Sequence, residues 1–283
     1  MFENIRNKLK ANSELLEEAL SQYYNYSDND FNDLIEAQKY GILNGGKRIR
    51  AFLVIEISKL FGGNVDSALP YACAIEMIHA SSLIHDDMPC IDNDDFRRGK
   101  PSTHKVYGEA IALFAGDAMM AKAFATIIQN PFVDASVNSK AVEVLASATG
   151  DSGMLAGQAI DVFAANNKLN KETLTRLHTL KTGKLIVASA ILGCLSAGVD
   201  VSDERCLASV KYAESVGLAF QIIDDLLDYK EGKRELNSFL TFMSVDEAKK
   251  YAAELTEIGI NAIKLYDTAT LTELALYLTE RKY

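Results

Sequence analysis

The 283-residue sequence has no tryptophan, only four prolines and four cysteines, and no long apolar run. Each scarcity excludes something. Cys73, Cys90, Cys194 and Cys206 are widely scattered without a CxxC pair, which speaks against a zinc site or a disulfide framework and for thiols in a reducing compartment. No stretch approaches the roughly 18 apolar residues of a membrane span. Basic charge is also short. The 29 Lys and Arg against 39 Asp and Glu leave a net charge of −10, which argues against nucleic acid or an anionic membrane surface as partner. With no linker, low-complexity tract or solenoid repeat, residues 1–283 read as a single domain able to bury its own core. The amphipathic, acidic N-terminus is unlike a signal or transit peptide, so a soluble cytoplasmic protein is expected.

What the sequence does contain is helical periodicity, with no convincing alternating strand. An amphipathic helix begins with Ile5, Leu9, Leu16 and Leu20. Further helices are predicted over 32–60, 66–89, 105–128, 134–164, 171–198, 202–228 and 245–266, with a short one near 270–281. The breaks carry Gly, Asn and Pro, and all four prolines fall at or near predicted boundaries. The segment 184–198 is apolar nearly all round and belongs inside a bundle. An all-α fold around a central helix layer follows, with ligand groups projecting inward between facing helices.

Two acidic clusters interrupt this apolar pattern. In HDDMPCIDNDDFRRGKP, five aspartates (Asp86, Asp87, Asp92, Asp94 and Asp95) precede Arg97, Arg98 and Lys100. Upstream, Ala72, Ile75, His79, Ser82 and Asp86 share one helix face that turns from apolar to polar. Asp86 and Asp92 lie about 240° apart on a straight helix, so the chain must deviate near Pro89 for both to face one ligand. An EF-hand is excluded, because Arg97 and Thr103 stand where that loop needs Gly and Glu. In GLAFQIIDDLLDYK, Asp224 and Asp228 stack at i and i+4, continuing a stripe through Val210, Gly217 and Gln221. Buried unpaired carboxylates are costly, so a compensating cation is implied, and a hard divalent ion suits oxygen ligands.

Cations gather elsewhere in the chain. Gly45-Gly46-Lys47-Arg48-Ile49-Arg50 joins flexible glycines to three positive charges, and arginine's planar fork matches phosphate. Lys181-Thr182-Gly183-Lys184 opens a strongly apolar helix, where an inward lysine needs an anion. Taken singly, each of these is as readily a loop, local charge balance or a solvated helix end, and His79 a satisfied core histidine. Jointly they imply a ligand with a diphosphate head and a hydrocarbon tail.

These motifs resemble those of the trans-prenyltransferases, the short-chain isoprenyl diphosphate synthases of farnesyl and geranylgeranyl type. The likeness runs in order through GGKRIR at 45–50, the acidic-basic segment 86–98, GD at 116–117, GQAID at 157–161, KTG at 181–183 and FQIIDDLLD at 220–228. The resemblance implies a terpenoid-synthase-like bundle of about ten or more helices around a central cavity, usually a homodimer. It also implies three Mg²⁺ held between the acidic motifs, carried by Asp86, Asp87, Asp92, Asp224, Asp225 and Asp228. By similarity Lys47, Arg50, His79 and Arg98 bind isopentenyl diphosphate, while Arg97, Lys181, Thr182 and Gln221 hold the allylic diphosphate. Asp86, Asp87, Arg97, Lys181 and Asp224 would be the groups closest to the chemistry.

Ser81, five residues before the first aspartate, would be the small floor of the elongation pocket, leaving C15 and C20 products both open. After Asp228 the segment is shorter than the family pattern. Lys233 would stand for one loop lysine and a second has no counterpart. Three other readings stay open: a class I terpene cyclase, a non-catalytic subunit of a heteromeric synthase, and a metal-buffering helical protein.

Overall fold

The computed structural model describes residues 2–165, 167–230, 237–266 and 268–280. Its helices are α1 (Glu3–Tyr23), α2 (Asn32–Ile42), α3 (Ile49–Leu60), α4 (Val65–Asp86), α5 (Thr103–Tyr107), α6 (Glu109–Ile128), α7 (Ala135–Thr149) and α8 (Met154–Ala164). Then follow α9 (Lys171–His178), a π-helical turn (Thr179–Gly183), α10 (Lys184–Ser196), α11 (Glu204–Lys230), α12 (Val245–Ile263) and α13 (Ala269–Thr279). The expected all-α bundle is what forms. Among the described residues the sole sheet is a two-stranded antiparallel ribbon, β1 (Phe96–Arg97) with β2 (Lys100–Pro101). That ribbon is an element the periodicity did not predict.

Helix α4 lies at the centre and is buried on most faces, as its near-continuous run of small and aliphatic residues requires. It packs against α3, α6 and α10 in one apolar cluster containing Tyr71, Ile75, Ile78, Leu145 and Leu192. A second cluster joins α1, α3, α10, α11 and α13, and a third joins α9, α11 and α12. Pro70 sits inside α4 rather than at its boundary, at the loss of one ladder hydrogen bond.

Where predicted helices split, the backbone supplies the reason. The stretch 32–60 breaks at residues 43–48, where Gly45, Gly46 and Arg48 all adopt positive φ (74°, 126° and 50°). Left-handed backbone cannot continue a right-handed helix. The stretch 134–164 breaks at Gly150–Gly153, and 171–198 is interrupted by the π turn at Lys181-Thr182-Gly183.

By length and composition, α6 and the helical stretch Lys171–Ser196 could each cross a membrane, contrary to the reading that no run is long enough. The latter is 61% buried inside the fold, as a core helix would be, but α6 is only 39% buried. Leu113, Phe114 and Ile128 of α6 are exposed.

Candidate active site

The first acidic segment is built by a chain reversal. Helix α4 ends at Asp86, three residues before Pro89, and the Asp92 amide donates back to the Asp86 carbonyl at 2.9 Å. The Asn93 amide bonds the Met88 carbonyl in the same turn, with Asn93 at φ 54°. The expected deviation is therefore present, and it returns Asp92 to the helix end that carries Asp86.

Charge within this segment is answered locally. Asp87 is buried and accepts from Arg97 Nε at 2.9 Å, while Arg97 also reaches Asp94 at 3.3 Å. Lys105 pairs with Asp95 at 2.7 Å. Asp86 has no such close partner. Burial pushes its carboxyl up to about 6, reinforced by Asp92 and Asp161 and opposed by Lys181 and Arg97. The Asp92 carboxyl is raised by the same kind of burial. Raised carboxylates crowded together are what a bound cation relieves.

Lys181 faces them from the π turn. Its ammonium contacts Asp161 at 2.5 Å and Asp86 at 4.0 Å. Burial alone would lower its pKa, yet Asp161, Asp86 and Asp92 together hold it above its ordinary value. Gly157 makes this approach possible: a Cβ there would collide with the Lys181 backbone nitrogen. So the GQAID and KTG motifs are two halves of one contact. Asp161 itself was given no role in the sequence reading, although the motif that carries it was visible. On the other side of the turn, Thr182 Oγ1 donates to Gln221 of α11 at 3.2 Å.

The GGKRIR segment divides its cations between structure and site. Arg48 is buried, donates to the Ile42 carbonyl, and pairs with buried Glu76 at 3.4 Å and with Glu17 at 3.6 Å. Arg50 is half-buried, and its enclosed Nε has no hydrogen-bond partner among the described residues. Burial lowers the Arg50 pKa, and Arg98 lowers it further against Glu76. His79 is driven well below its usual range by burial and then by Arg50, Arg98, Arg48 and Arg97. Arg98 donates to the Gly45 carbonyl, and a Cβ at Gly46 would strike its guanidinium. Arg50, Arg98, Arg48 and Arg97 thus gather around an imidazole held neutral, an arrangement that an anion would complete. Lys47 lies about 6.0 Å over the Tyr277 ring of α13.

Two cavities meet at Lys181 and Thr182. One, of about 710 Å³, is polar and is lined by Asp92, Asp161, His178, Gln221 and Asn237. The other, of about 430 Å³, is mostly apolar and runs from Asp86 past Ser81 and Ser82 to Leu113, Met120 and Met154. His79, Ser82 and Asp86, placed on one stripe by the sequence, all line it. His85 lines it too, contacting Asp117 at 3.5 Å, with no room for a side chain at Gly116. That accounts for the GD motif.

On the opposing helix, Asp224 and Asp228 are half-buried at i and i+4, in the helix whose Gln221 lines the polar cavity. Asp225, expected among the metal ligands, is instead buried with Oδ2 accepting from Ser238 Oγ and the Phe239 amide. Lys233 lies outside the described residues.

The carboxylates fit a divalent cation by donor chemistry and by the raised pKa of Asp86 and Asp92. Among the described residues no three His, Cys, Asp or Glu stand close enough to hold a metal unaided. Such an ion would complete its shell with water and ligand oxygens, the usual manner for Mg²⁺.

The chain is similar to known proteins of one family. The family model described as polyprenyl synthetase matches residues 32–240. A geranylgeranyl pyrophosphate synthase of Capsicum annuum is 39% identical over 264 residues, covering 87% of this chain and 71% of its own. The large subunit 1 of a heterodimeric geranylgeranyl pyrophosphate synthase of Arabidopsis thaliana is 38% identical, covering 87% and 72%. A crystal structure of an FPP/GFPP synthase from Zymomonas mobilis superposes with a TM-score of 0.91 at 34% identity, covering 99% of this chain and all of that one.

Proposed function

The chain belongs to the polyprenyl synthetase family and is a prenyltransferase; from that premise we propose that it condenses isopentenyl diphosphate head-to-tail with dimethylallyl and geranyl diphosphates. The product is farnesyl diphosphate, extended to geranylgeranyl diphosphate. One observation carries the reading: a polar and an apolar cavity share Lys181 and Thr182 at their boundary. A diphosphate head and a hydrocarbon tail would fill them together.

In this reading Lys181, Thr182, Gln221 and Arg97 orient the allylic diphosphate. Arg50, Arg98, His79 and Lys47 hold isopentenyl diphosphate beside it. Magnesium, bound by Asp86, Asp92, Asp224 and Asp228 with substrate oxygens, would supply Lewis-acid neutralisation of the leaving group. The allylic C–O bond ionises while Lys181 and Arg97 stabilise the departing charge. The isopentenyl alkene attacks, and the proton lost passes to the released diphosphate. No side-chain nucleophile is required. The apolar cavity keeps water from the carbocation and receives the growing chain.

Ser81 is fully buried and lines that cavity, which supports reading it as a small floor that admits a longer product. Met120 of α6 and Met154 of α8 line the same cavity. The exposed apolar residues Leu113, Phe114 and Ile128 on α6 support a homodimer, since apolar patches mark association surfaces.

The decisive experiment incubates the protein with Mg²⁺, radiolabelled isopentenyl diphosphate and each allylic starter, then sizes the products. A C20 product that shortens in Ser81→Phe is expected. Farnesyl diphosphate alone from the unaltered protein would remove the Ser81 argument. Cyclisation of an allylic diphosphate with isopentenyl diphosphate unconsumed would establish a terpene cyclase instead.

A further inference from the structure

A short segment beyond the second acidic helix touches three elements that each carry a group of the polar cavity. Asn237 donates through Nδ2 to the Ala164 and Asn167 carbonyls at 2.8 and 2.9 Å, and its Oδ1 accepts from the Leu169 amide at 2.8 Å. This fastens the end of α8, which bears Asp161. Ser238 Oγ and the Phe239 amide both donate to Asp225 Oδ2, at 2.9 and 2.7 Å, fastening α11. The Phe239 ring, 1% exposed, stacks on His178 with centroids 5.1 Å apart and planes at 26°. His178 is the last residue of α9 and leads directly into the π turn that presents Lys181.

Asp225 is badly suited to metal binding in this arrangement. Its Oδ2 accepts two hydrogen bonds, which use both lone pairs of a carboxylate oxygen. It also lies about 100° round the helix from Asp224, off the stripe shared by Asp224 and Asp228.

We propose that Asp225 is a positioning residue, not a metal ligand: through Phe239 and His178 it braces the second carboxylate helix against the turn that holds Lys181. The inference rests on the proposed prenyl transfer for its kinetic consequence, but its structural consequence is independent of it. Removing the acceptor frees the 237–239 segment, the His178 stack loses its backing, and Lys181 shifts relative to Asp224. Misplacement on the ångström scale costs about 100-fold in turnover.

The test compares Asp225→Ala, Asp225→Asn and Phe239→Ala with Asp224→Asn, which deletes a carboxylate from the stripe itself. Turnover, the KM for the allylic substrate and the Mg²⁺ half-saturation are measured, together with amide hydrogen exchange over 179–183 and 237–243. In Asp225→Ala, kcat is expected to fall about 100-fold and the allylic KM to rise, with faster exchange in both segments. Asp225→Asn, which keeps an acceptor oxygen for the Phe239 amide, rescues most of that loss without raising the Mg²⁺ requirement. Phe239→Ala quickens exchange at 179–183 while leaving Asp225 intact.

If Asp225→Asn raises the Mg²⁺ half-saturation as much as Asp224→Asn does, Asp225 is a ligand and the proposal is overturned. If exchange at 179–183 is unmoved in Asp225→Ala and Phe239→Ala, the brace does not exist. Should Asp225→Ala fail to fold, the Asn and Phe239 variants decide the question. An unaltered protein that consumes no isopentenyl diphosphate would sink the proposed reaction, and the exchange comparison would still decide the brace.

Discussion

The two aspartate-rich segments are built by opposite means. At 86–95 the chain leaves its helix, reverses through the Asp92–Asp86 backbone bond, and is stiffened by cations of its own: Arg97 on Asp87 and Asp94, Lys105 on Asp95. At 224–228 the chain stays helical, and α11 runs unbroken to Lys230. A helix places i and i+4 carboxylates together without further support. A loop does not, and must pair some of its charges to hold the others in place. The first segment therefore carries five aspartates to the second's three, and Asp87 and Asp94 there are bound to Arg97.

That contrast can be broken most severely at Asp86 and Asp224. Asp86→Ala or Asp224→Ala is expected to lower turnover by about three orders of magnitude or more, each removing charge stabilisation at the reacting diphosphate, with far-ultraviolet circular dichroism unchanged. Equal losses would show that the two construction methods serve one site. Near-normal rates in both variants would refute the site assignment.

The next largest effect separates the segments in stability. Arg97→Ala leaves Asp87, 2% exposed, without its guanidinium. Stranding a buried charge costs about 3–5 kcal/mol. The Arg97 side chain is 32% exposed, so water can re-enter and about 2–3 kcal/mol is the expected loss in chemical denaturation. A stability change below about 0.5 kcal/mol, the range of ordinary surface substitutions, would mean the loop holds its shape by backbone bonds alone.

Much of this was readable in the residues, and what was not has physical causes. The stripe His79–Ser82–Asp86 was legible because helical periodicity projects side chains predictably. The reversal before Pro89 was legible because two chelating positions 240° apart forbid a straight helix. The break at 43–48 was missed as an interruption because Ile42 and Ile49 keep apolar spacing across it, and only the positive φ angles end the helix. Arg48 and Arg50 are chemically alike in sequence; Arg48 closes on Glu76 of α4, while the Nε of Arg50 has no hydrogen-bond partner among the described residues. The role of Asp161 depended on Lys181, twenty residues away, and on the missing side chain at Gly157. Asp225 belonged to the acidic motif by spelling, and only the position of Phe239 shows what its oxygen does.

The smallest expected effect sharpens the comparison from the side of pH. Burial pushes the Asp86 carboxyl up to about 6 in the folded protein, above its ordinary 3.8. Between those values the folded protein binds more protons at this site than the unfolded chain does. Stability contributed by Asp86 is therefore fully present below about pH 4 and is lost as pH rises through 6. Burial also lowers His178 to about 4, and that group works in the opposite sense over a similar range, gaining stability as pH rises. The two partly cancel in the unaltered protein, so the informative quantity is a difference. Asp86→Asn should be more stable than the unaltered protein at pH 7 by about 2 kcal/mol, with the gap closing toward pH 4. Metal-free denaturation curves at both pH values measure it directly. The same substitution abolishes turnover, because the strain that weakens the empty fold is the charge the site needs when its cation and diphosphate arrive. A gap that does not change with pH would place the cost of Asp86 in packing and not in its charge.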